Sequence, residues 1–365
     1  MNKIHIEYSC FDIDDNLLHM PTKINMINIL NGNKVGVSSE EFAEIRNDKD
    51  NWKLSDDAFV EFKDIGPRGD NAFIEDMIYT IQKEDFAPSW FQFLNTLKNG
   101  FLFSLITARG HKPDTFKRGV EWIIDNYLDI NQKEEMYNNL KKFIFLFKGI
   151  DSLYKKSPDE ILKNKSKEDD FKFEKVDFNN FSKNEIVKNY LNECGFYGVS
   201  YDGFIEKNKS GGAESPEIGK EIALREFKQK VKSYADKIGA SISFGMSDDD
   251  MKNIIHIEKV FKELKEIYPE TIFRLYDTSK RGYVKKIIES KIKNFKNFII
   301  FQEASAGVIN SLPNAAMSGG MNSQNHFETN KIQQSNFLTK LSKEIFKNLK
   351  ENDNKERKNK YIKKK

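Results

Sequence analysis

Cysteine is nearly absent: Cys10 and Cys194 are the only two in 365 residues. A disulfide framework and a cysteine-based zinc site are thereby excluded, and nothing else points to the secretion that a lone disulfide would imply. An excess of one charge is missing as well. Lys and Arg number 59 against 56 acids, a formal net charge of +3, which makes no whole-protein case for nucleic-acid binding. Long apolar runs are lacking, since Phe143–Phe147 and Phe298–Phe301 are far too short to span a bilayer. The first residues show no basic stretch followed by an apolar core. No internal repeat stands out. A cytoplasmic protein with no membrane contact is the expectation.

What the chain does have is aromatic content: 13%, dominated by 30 Phe, enough for a packed core. Four apolar stretches have the length and flanks of strands in one sheet: Ile4–Phe11, Phe101–Ile106, Ala240–Phe244 and Thr271–Tyr276. Helical patterns lie between them. Pro88-Ser89-Trp90 starts a helix that Asn99-Gly100 stops, and Asp114 caps another running through Val120 to Tyr127. Ser215-Pro216-Glu217 opens a third, and Met251–Ile267 is a fourth. Strands alternating with helices predict an α/β fold with a parallel sheet covered by helices.

Two stretches interrupt this plan. Residues 20–85 hold a strand-like Lys34-Val35-Gly36-Val37 and a helix start at Ser39-Glu40-Glu41-Phe42, while residues 131–205 are rich in Lys, Asn and Asp. Both are expected to be insertions on a core made of 1–19, 86–130 and 206–302, where substrate-covering elements usually sit. Beyond Glu303 the small residues Ala304 to Gly320 suggest a flexible linker, and Lys355–Lys365 is a basic tail.

Chemistry concentrates at the predicted strand ends. The first strand closes with Asp12-Ile13-Asp14, two acids placed where open α/β sheets bind ligands and costly there unless they hold a cation or do chemistry. Thr107 follows the second strand and precedes Ala108-Arg109-Gly110-His111; a hydroxyl backed by turn amides suits a phosphate oxygen, though it could also cap the next helix. Arg109 and His111 either help hold an anion or brace the loop. After the third strand, Gly245-Met246-Ser247 leads into Asp248-Asp249-Asp250, three acids that repel one another unless a cation or a helix N-terminus relieves them. Carboxylate oxygens are the hard ligands that Mg²⁺ prefers. A lysine to neutralise phosphoryl charge is either Lys220 or Lys209.

Asp12-Ile13-Asp14-Asp15-Asn16, Thr107, an intervening Lys and the Gly245–Asp250 motif, in this order, resemble the haloacid dehalogenase (HAD) superfamily of phosphotransferases. The resemblance covers about half the chain. It implies a Rossmannoid core with a parallel central sheet, and one or both insertions as caps. It further implies a Mg²⁺-dependent phosphohydrolase acting on a small phosphorylated metabolite or nucleotide. Asp12 would be the nucleophile, Asp14 the general acid/base, and Thr107, Ala108, Arg109 and Lys220 the phosphate-binding residues. Asp12, the backbone carbonyl of Asp14, Asp248 and Asp249 would hold Mg²⁺. Asp15 stands where many members carry Gly, Asn16 where Thr is commoner, and Met246 where an acid is frequent, which leaves the metal role among Asp248, Asp249 and Asp250.

Two other functions are compatible with the chain: a nucleic-acid end phosphatase that uses the basic tail, and a HAD-like scaffold without activity. The oligomeric state is not legible. If the tail engages nucleic acid, deleting it after Glu303 weakens oligonucleotide turnover and flattens its salt dependence; an unchanged rate at every salt concentration removes the idea.

Overall fold

Alternation in the first strand places Ile6, Tyr8 and Cys10 on one side and His5, Glu7 and Phe11 on the other, and all six are buried. A strand covered on both faces belongs in the middle of a sheet, and that is its place in the computed structural model. The structure describes residues 3–148, 182–213, 215–237, 240–280, 283–289 and 298–300. In chain order the elements are β1 (Lys3–Phe11), β2 (Ile24–Asn28), β3 (Lys34–Val37), α1 (Ser39–Ile45), β4 (Trp52–Leu54), α2 (Asn71–Gln82), α3 (Trp90–Lys98), β5 (Phe103–Thr107), α4 (Pro113–Trp122) and α5 (Ile130–Lys148). There follow α6 (Lys183–Glu193), β6 (Gly195–Gly198), α7 (Asp202–Lys207), α8 (Pro216–Lys237), β7 (Ser241–Asp248), α9 (Met251–Ile267), β8 (Ile272–Lys280), β9 (Tyr283–Glu289) and β10 (Phe298–Ile300).

Five parallel strands run in the order β6-β5-β1-β7-β8, with β9 antiparallel on the β8 edge. Strand β10 pairs with the first residues of β1, on the edge that β5 occupies further along. The chain therefore lays down β1, β5 and β6 in one direction, then returns past β1 to lay down β7 and β8. The order reverses between β1 and β7, and in such Rossmann-like sheets the crevice beyond the strand ends at the reversal is the ligand site.

Both faces are packed with aromatic rings. Phe244 of β7 meets Phe227 of α8 and Phe261 of α9 at 6.1 Å and the neighbouring strand's Phe273 at 6.3 Å. On the opposite face Phe11 and Phe103 meet Phe93 of α3 at 5.7 and 5.3 Å, edge to face. These rings supply most of the burial that holds the sheet between two helical layers.

All four predicted strands lie in this sheet, with shifted limits. Strand β7 does not stop at Phe244: Gly245, Met246 and Ser247 continue it, because each pairs with β1 on one side and β8 on the other. Asp114 is not a cap; α4 begins at Pro113 with Lys112 in the capping position, and a π-helical turn over Ile123–Tyr127 carries it on. The capping box at the start of α1 is made by Ser38 with Glu41.

The insertion boundaries need correction. Residues 131–205 were expected to lie outside the core, yet Gly195–Gly198 form the edge strand β6, and Tyr190 and Leu191 of α6 are buried in the main core. The polar composition of the stretch masked a four-residue strand too short to show alternation. Residues 20–85 divide in two. Residues 24–62 form a small module, an antiparallel sheet β3-β2-β4 with α1, around its own core of Ile24, Met26, Val37, Ala58 and Phe62. Helix α2 belongs to the main core through Phe73, Met77 and Ile81. The linker and basic tail, 303–365, lie outside the described residues, as do 149–181.

Among the described residues no helix is long and apolar enough to cross a membrane. Phe244→Ala empties the junction of α8, α9 and the sheet and is expected to cost about 3–5 kcal/mol in urea unfolding.

Candidate active site

The crevice at the β1/β7 junction is built by strand ends. Asp12 follows the last residue of β1, and its N–H donates to the Ser247 carbonyl at 3.1 Å, locking it to β7. Asp248 is the last residue of β7 and is fully buried. Asp249 follows it. One carboxylate oxygen from each of these three lies within 4.8 Å of the others.

Between them sits Lys220, projecting from the first turns of α8 and 1% exposed. Its Nζ donates to Asp248 Oδ2 at 2.7 Å and lies 3.2 Å from Asp12 Oδ1. The second approach is an ion-pair distance without hydrogen-bond geometry, and Asp12 Oδ1 is a buried oxygen without a hydrogen-bond donor. Asp248 Oδ1 is satisfied by the Asp250 N–H and by Asn253 Nδ2, both at 3.0 Å.

Charge in this cluster does not balance. Three carboxylates face one ammonium, an excess of two negative charges in a buried place. Burial, partly offset by Lys220 and aggravated by Asp248 and Asp14, pushes the Asp12 carboxyl up to about 7. Burial, with Asp12 and Asp248 beside it, also raises Asp249 well above the usual carboxylate range. For Lys220 burial works against the charge, but Asp12 and Asp248 outweigh it and hold the ammonium more firmly protonated. An all-oxygen set with one undonated buried oxygen and an excess of two charges fits a hard divalent cation such as Mg²⁺.

Asp250 is not in the cluster. It caps α9 through the Lys252 N–H and takes two hydrogen bonds from Arg46 of the small module, at 2.9 and 3.2 Å. Burial alone would raise its pKa, but the Arg46 bonds outweigh that and hold it below the usual range. Met246 is packed in the core. Lys209 lies in a single exposed 3-10 turn, so of the two lysines Lys220 is the one at the acids.

Asp14, 16% exposed, is held by Arg109, whose Nε and Nη2 both donate to its carboxylate at 2.7 Å. Arg109 is therefore occupied by an acid of the chain, which corrects its expected place among the phosphate-binding residues. Thr107 ends β5, buried, with its hydroxyl accepting the Arg109 N–H at 3.3 Å; Ala108 is exposed in the turn that follows. His111 braces the loop. Burial, then the nearby Arg109 charge, lowers its pKa to about 4, and the neutral ring donates from Nδ1 to Asp64 at 2.8 Å. Asp64 also accepts from the Lys112 N–H at 2.7 Å and from Thr115. The loop lies so close to its neighbours that Gly110 and Gly198 cannot carry a Cβ: at Gly110 it would meet the Ser200 carbonyl at 2.7 Å, and at Gly198 the His111 carbonyl at 2.4 Å.

Asn16, which the sequence offers only as a departure, is the knot behind the site. It is fully buried, donates to the Asp12 carbonyl at 2.9 Å and to Ser247 Oγ at 3.0 Å, and accepts from Ser89 and Thr278 at 3.0 and 2.8 Å. Thr would be too short to join four partners. Asp64, Arg46 and Thr22 have no local signal that marks them.

The chain matches no family model, and comparisons with curated proteins and with solved structures find no match.

The sign of the pH effect follows from the raised carboxyls. Without a cation, Asp12 and Asp249 hold protons more tightly when folded than unfolded, so their contribution to stability is greatest below the ordinary carboxylate pKa and is lost as pH rises above it, for Asp12 through about 7. Mg²⁺ competes with those protons. Thermal melts from about pH 5 to pH 8, with chelator or with Mg²⁺, should show a stabilisation by Mg²⁺ that grows with pH. A shift that is absent, or equal at all pH values, contradicts cation binding here.

Proposed function

We propose that the protein is a HAD-like, Mg²⁺-dependent phosphohydrolase that forms an aspartyl-phosphate on Asp12 and acts on a small phosphorylated metabolite or nucleotide. The observation that carries this reading is the cluster of buried Asp12, Asp248 and Lys220 with half-buried Asp249 at the strand-order reversal, two negative charges in excess when all three acids are ionised. Asp12, Asp248 and Asp249 would hold the cation, which when bound offsets the repulsion between an anionic nucleophile and an anionic phosphate.

The chain's own residues then divide the work. Asp12 attacks phosphorus, and the bond from phosphorus to the leaving oxygen breaks. Asp14 gives that oxygen a proton and in the second step takes one from the water that attacks the aspartyl-phosphate, freeing Asp12 and inorganic phosphate. Lys220, already shared between Asp12 and Asp248, neutralises charge on the phosphoryl group, and the Thr107 hydroxyl donates to one of its oxygens.

A cleft of about 530 Å³ lined by Asp15, the residue after Asp14, with His19, Ser38, Glu40, Lys83 and Asp85, has the size of a small-molecule site. Residues 24–62 are the cap in this reading, bridged to the core by Arg46–Asp250 and by the Gly110 N–H to the Phe62 carbonyl at 2.8 Å. An inactive scaffold would keep three mutually repelling acids, two of them buried, at a cost to stability with no return.

A panel of phosphate esters with Mg²⁺ tests the reading. Asp12→Asn is expected to abolish hydrolysis, by at least about 10³-fold, while raising the melting temperature in chelator, because it removes one of the repelling charges. No activity in the parent protein on any ester favours the scaffold.

A further inference from the structure

Arg109 is 1% exposed, whereas the Asp14 side chain that it holds is 16% exposed. Its two bonds to the Asp14 carboxylate are the two-pronged arrangement that fixes a carboxylate in orientation as well as in position. Nη2 makes a further bond to Thr22 Oγ1 at 2.8 Å; Thr22 in turn donates to Asp76, which Arg68 holds from the other side. The guanidinium lies over Phe62, 4.5 Å from the ring centre, with Phe73 at 5.7 Å. Its own N–H satisfies the Thr107 oxygen, which leaves the hydroxyl proton of Thr107 to donate.

We infer that Arg109 is a positioning residue, which sets the Asp14 carboxyl group where its protonated form gives its proton to the leaving oxygen and is left as the carboxylate that Arg109 holds, with Thr22 and Asp76 as its backing. The inference rests on Asp14 being the acid/base of the proposed reaction. A phosphate ligand would need N–H groups aimed into the crevice, whereas Nε and both Nη2 protons already have partners in the chain. A purely structural ion pair is also a poor account. Buried pairs add little net stability over an apolar replacement, and an apolar side chain would cover Phe62 and Phe73 as well. What the fork adds is orientation of a carboxylate that stays 16% exposed. Misplacing such a group by about 1 Å costs on the order of 100-fold in rate.

Leaving-group dependence separates these roles. p-Nitrophenolate departs without a proton, whereas an alkoxide must be protonated as it leaves, so loss of a positioned acid is felt on alkyl phosphates. The measurement is kcat/KM, which covers the steps through departure of the leaving group, for p-nitrophenyl phosphate and a simple alkyl phosphate. Arg109→Lys and Arg109→Ala are expected to lower the alkyl ester value about 100-fold and the p-nitrophenyl value less than about 10-fold. Thr22→Val should show the same bias with a smaller loss, and added guanidinium should partly restore Arg109→Ala on the alkyl ester alone. Should Arg109→Ala fail to fold, Arg109→Lys and Thr22→Val decide. Equal losses on both esters overturn the inference, since the phosphoryl group is common to them. Asp14→Asn is the control: bias there without bias in the Arg109 variants sinks the positioning role alone. Absence of bias in Asp14→Asn, or no hydrolysis by the parent, removes the acid/base reading and the inference with it.

Discussion

Everything at this site depends on an imbalance of buried charge. Two parallel strands end side by side, and each delivers acids to the same crevice: Asp12 from β1, Asp248 and Asp249 from β7. One lysine cannot neutralise three carboxylates, and water cannot screen them where Asp248 is fully buried. The surrounding architecture contains that repulsion. The Asp12 N–H is pinned to Ser247, Asn16 ties both strand ends to Ser89 and Thr278, and the start of α9 supplies an N–H and an amide to Asp248. This fixed structure holds like charges together, and the proposed cation is what would relieve them.

Long-range connection divides the site into two halves with different partners. The Asp12 half is held by the central sheet and by α8. The Asp14 half is held by Arg109, which in turn depends on Thr22, Asp76 and Phe62 from the segment between β1 and α3. The loop carrying Arg109 is pressed against β6 closely enough to require glycine at Gly198, and it is tied to Asp64 through His111 and Lys112. Asp12 and Asp14 are thus only two residues apart in sequence but are supported by separate structures.

Legibility in the sequence followed the range of the interactions. The four strands could be read because apolar alternation is local and two buried faces leave a strong signature. The strand-end acids could be read because acids have few reasons to follow a buried strand. Strand β6 could not, since Gly-Phe-Tyr-Gly is too short to show a period and takes its place only by pairing with β5. Arg109 was legible as a charged residue near the site, but the choice between anion and brace is made by Asp14, 95 residues away. Asn16 looked like a deviation because its four partners come from β1, β7, β8 and the turn before α3.

The same reasoning explains why Asp250 leaves the cluster while Asp249 stays. Consecutive acids after a strand cannot all point into one crevice, because successive side chains diverge as the chain turns into α9. Asp250, at the capping position, satisfies the Lys252 N–H and the Arg46 guanidinium, and both interactions favour its charged form. Asp249 has no such bonds, and burial together with Asp12 and Asp248 raises its carboxyl despite the partial offset from Lys220. Of three acids adjacent in sequence, one joins the small module to the core and two face Asp12. Helix geometry makes that division, and the excess of charge that asks for a cation follows from it.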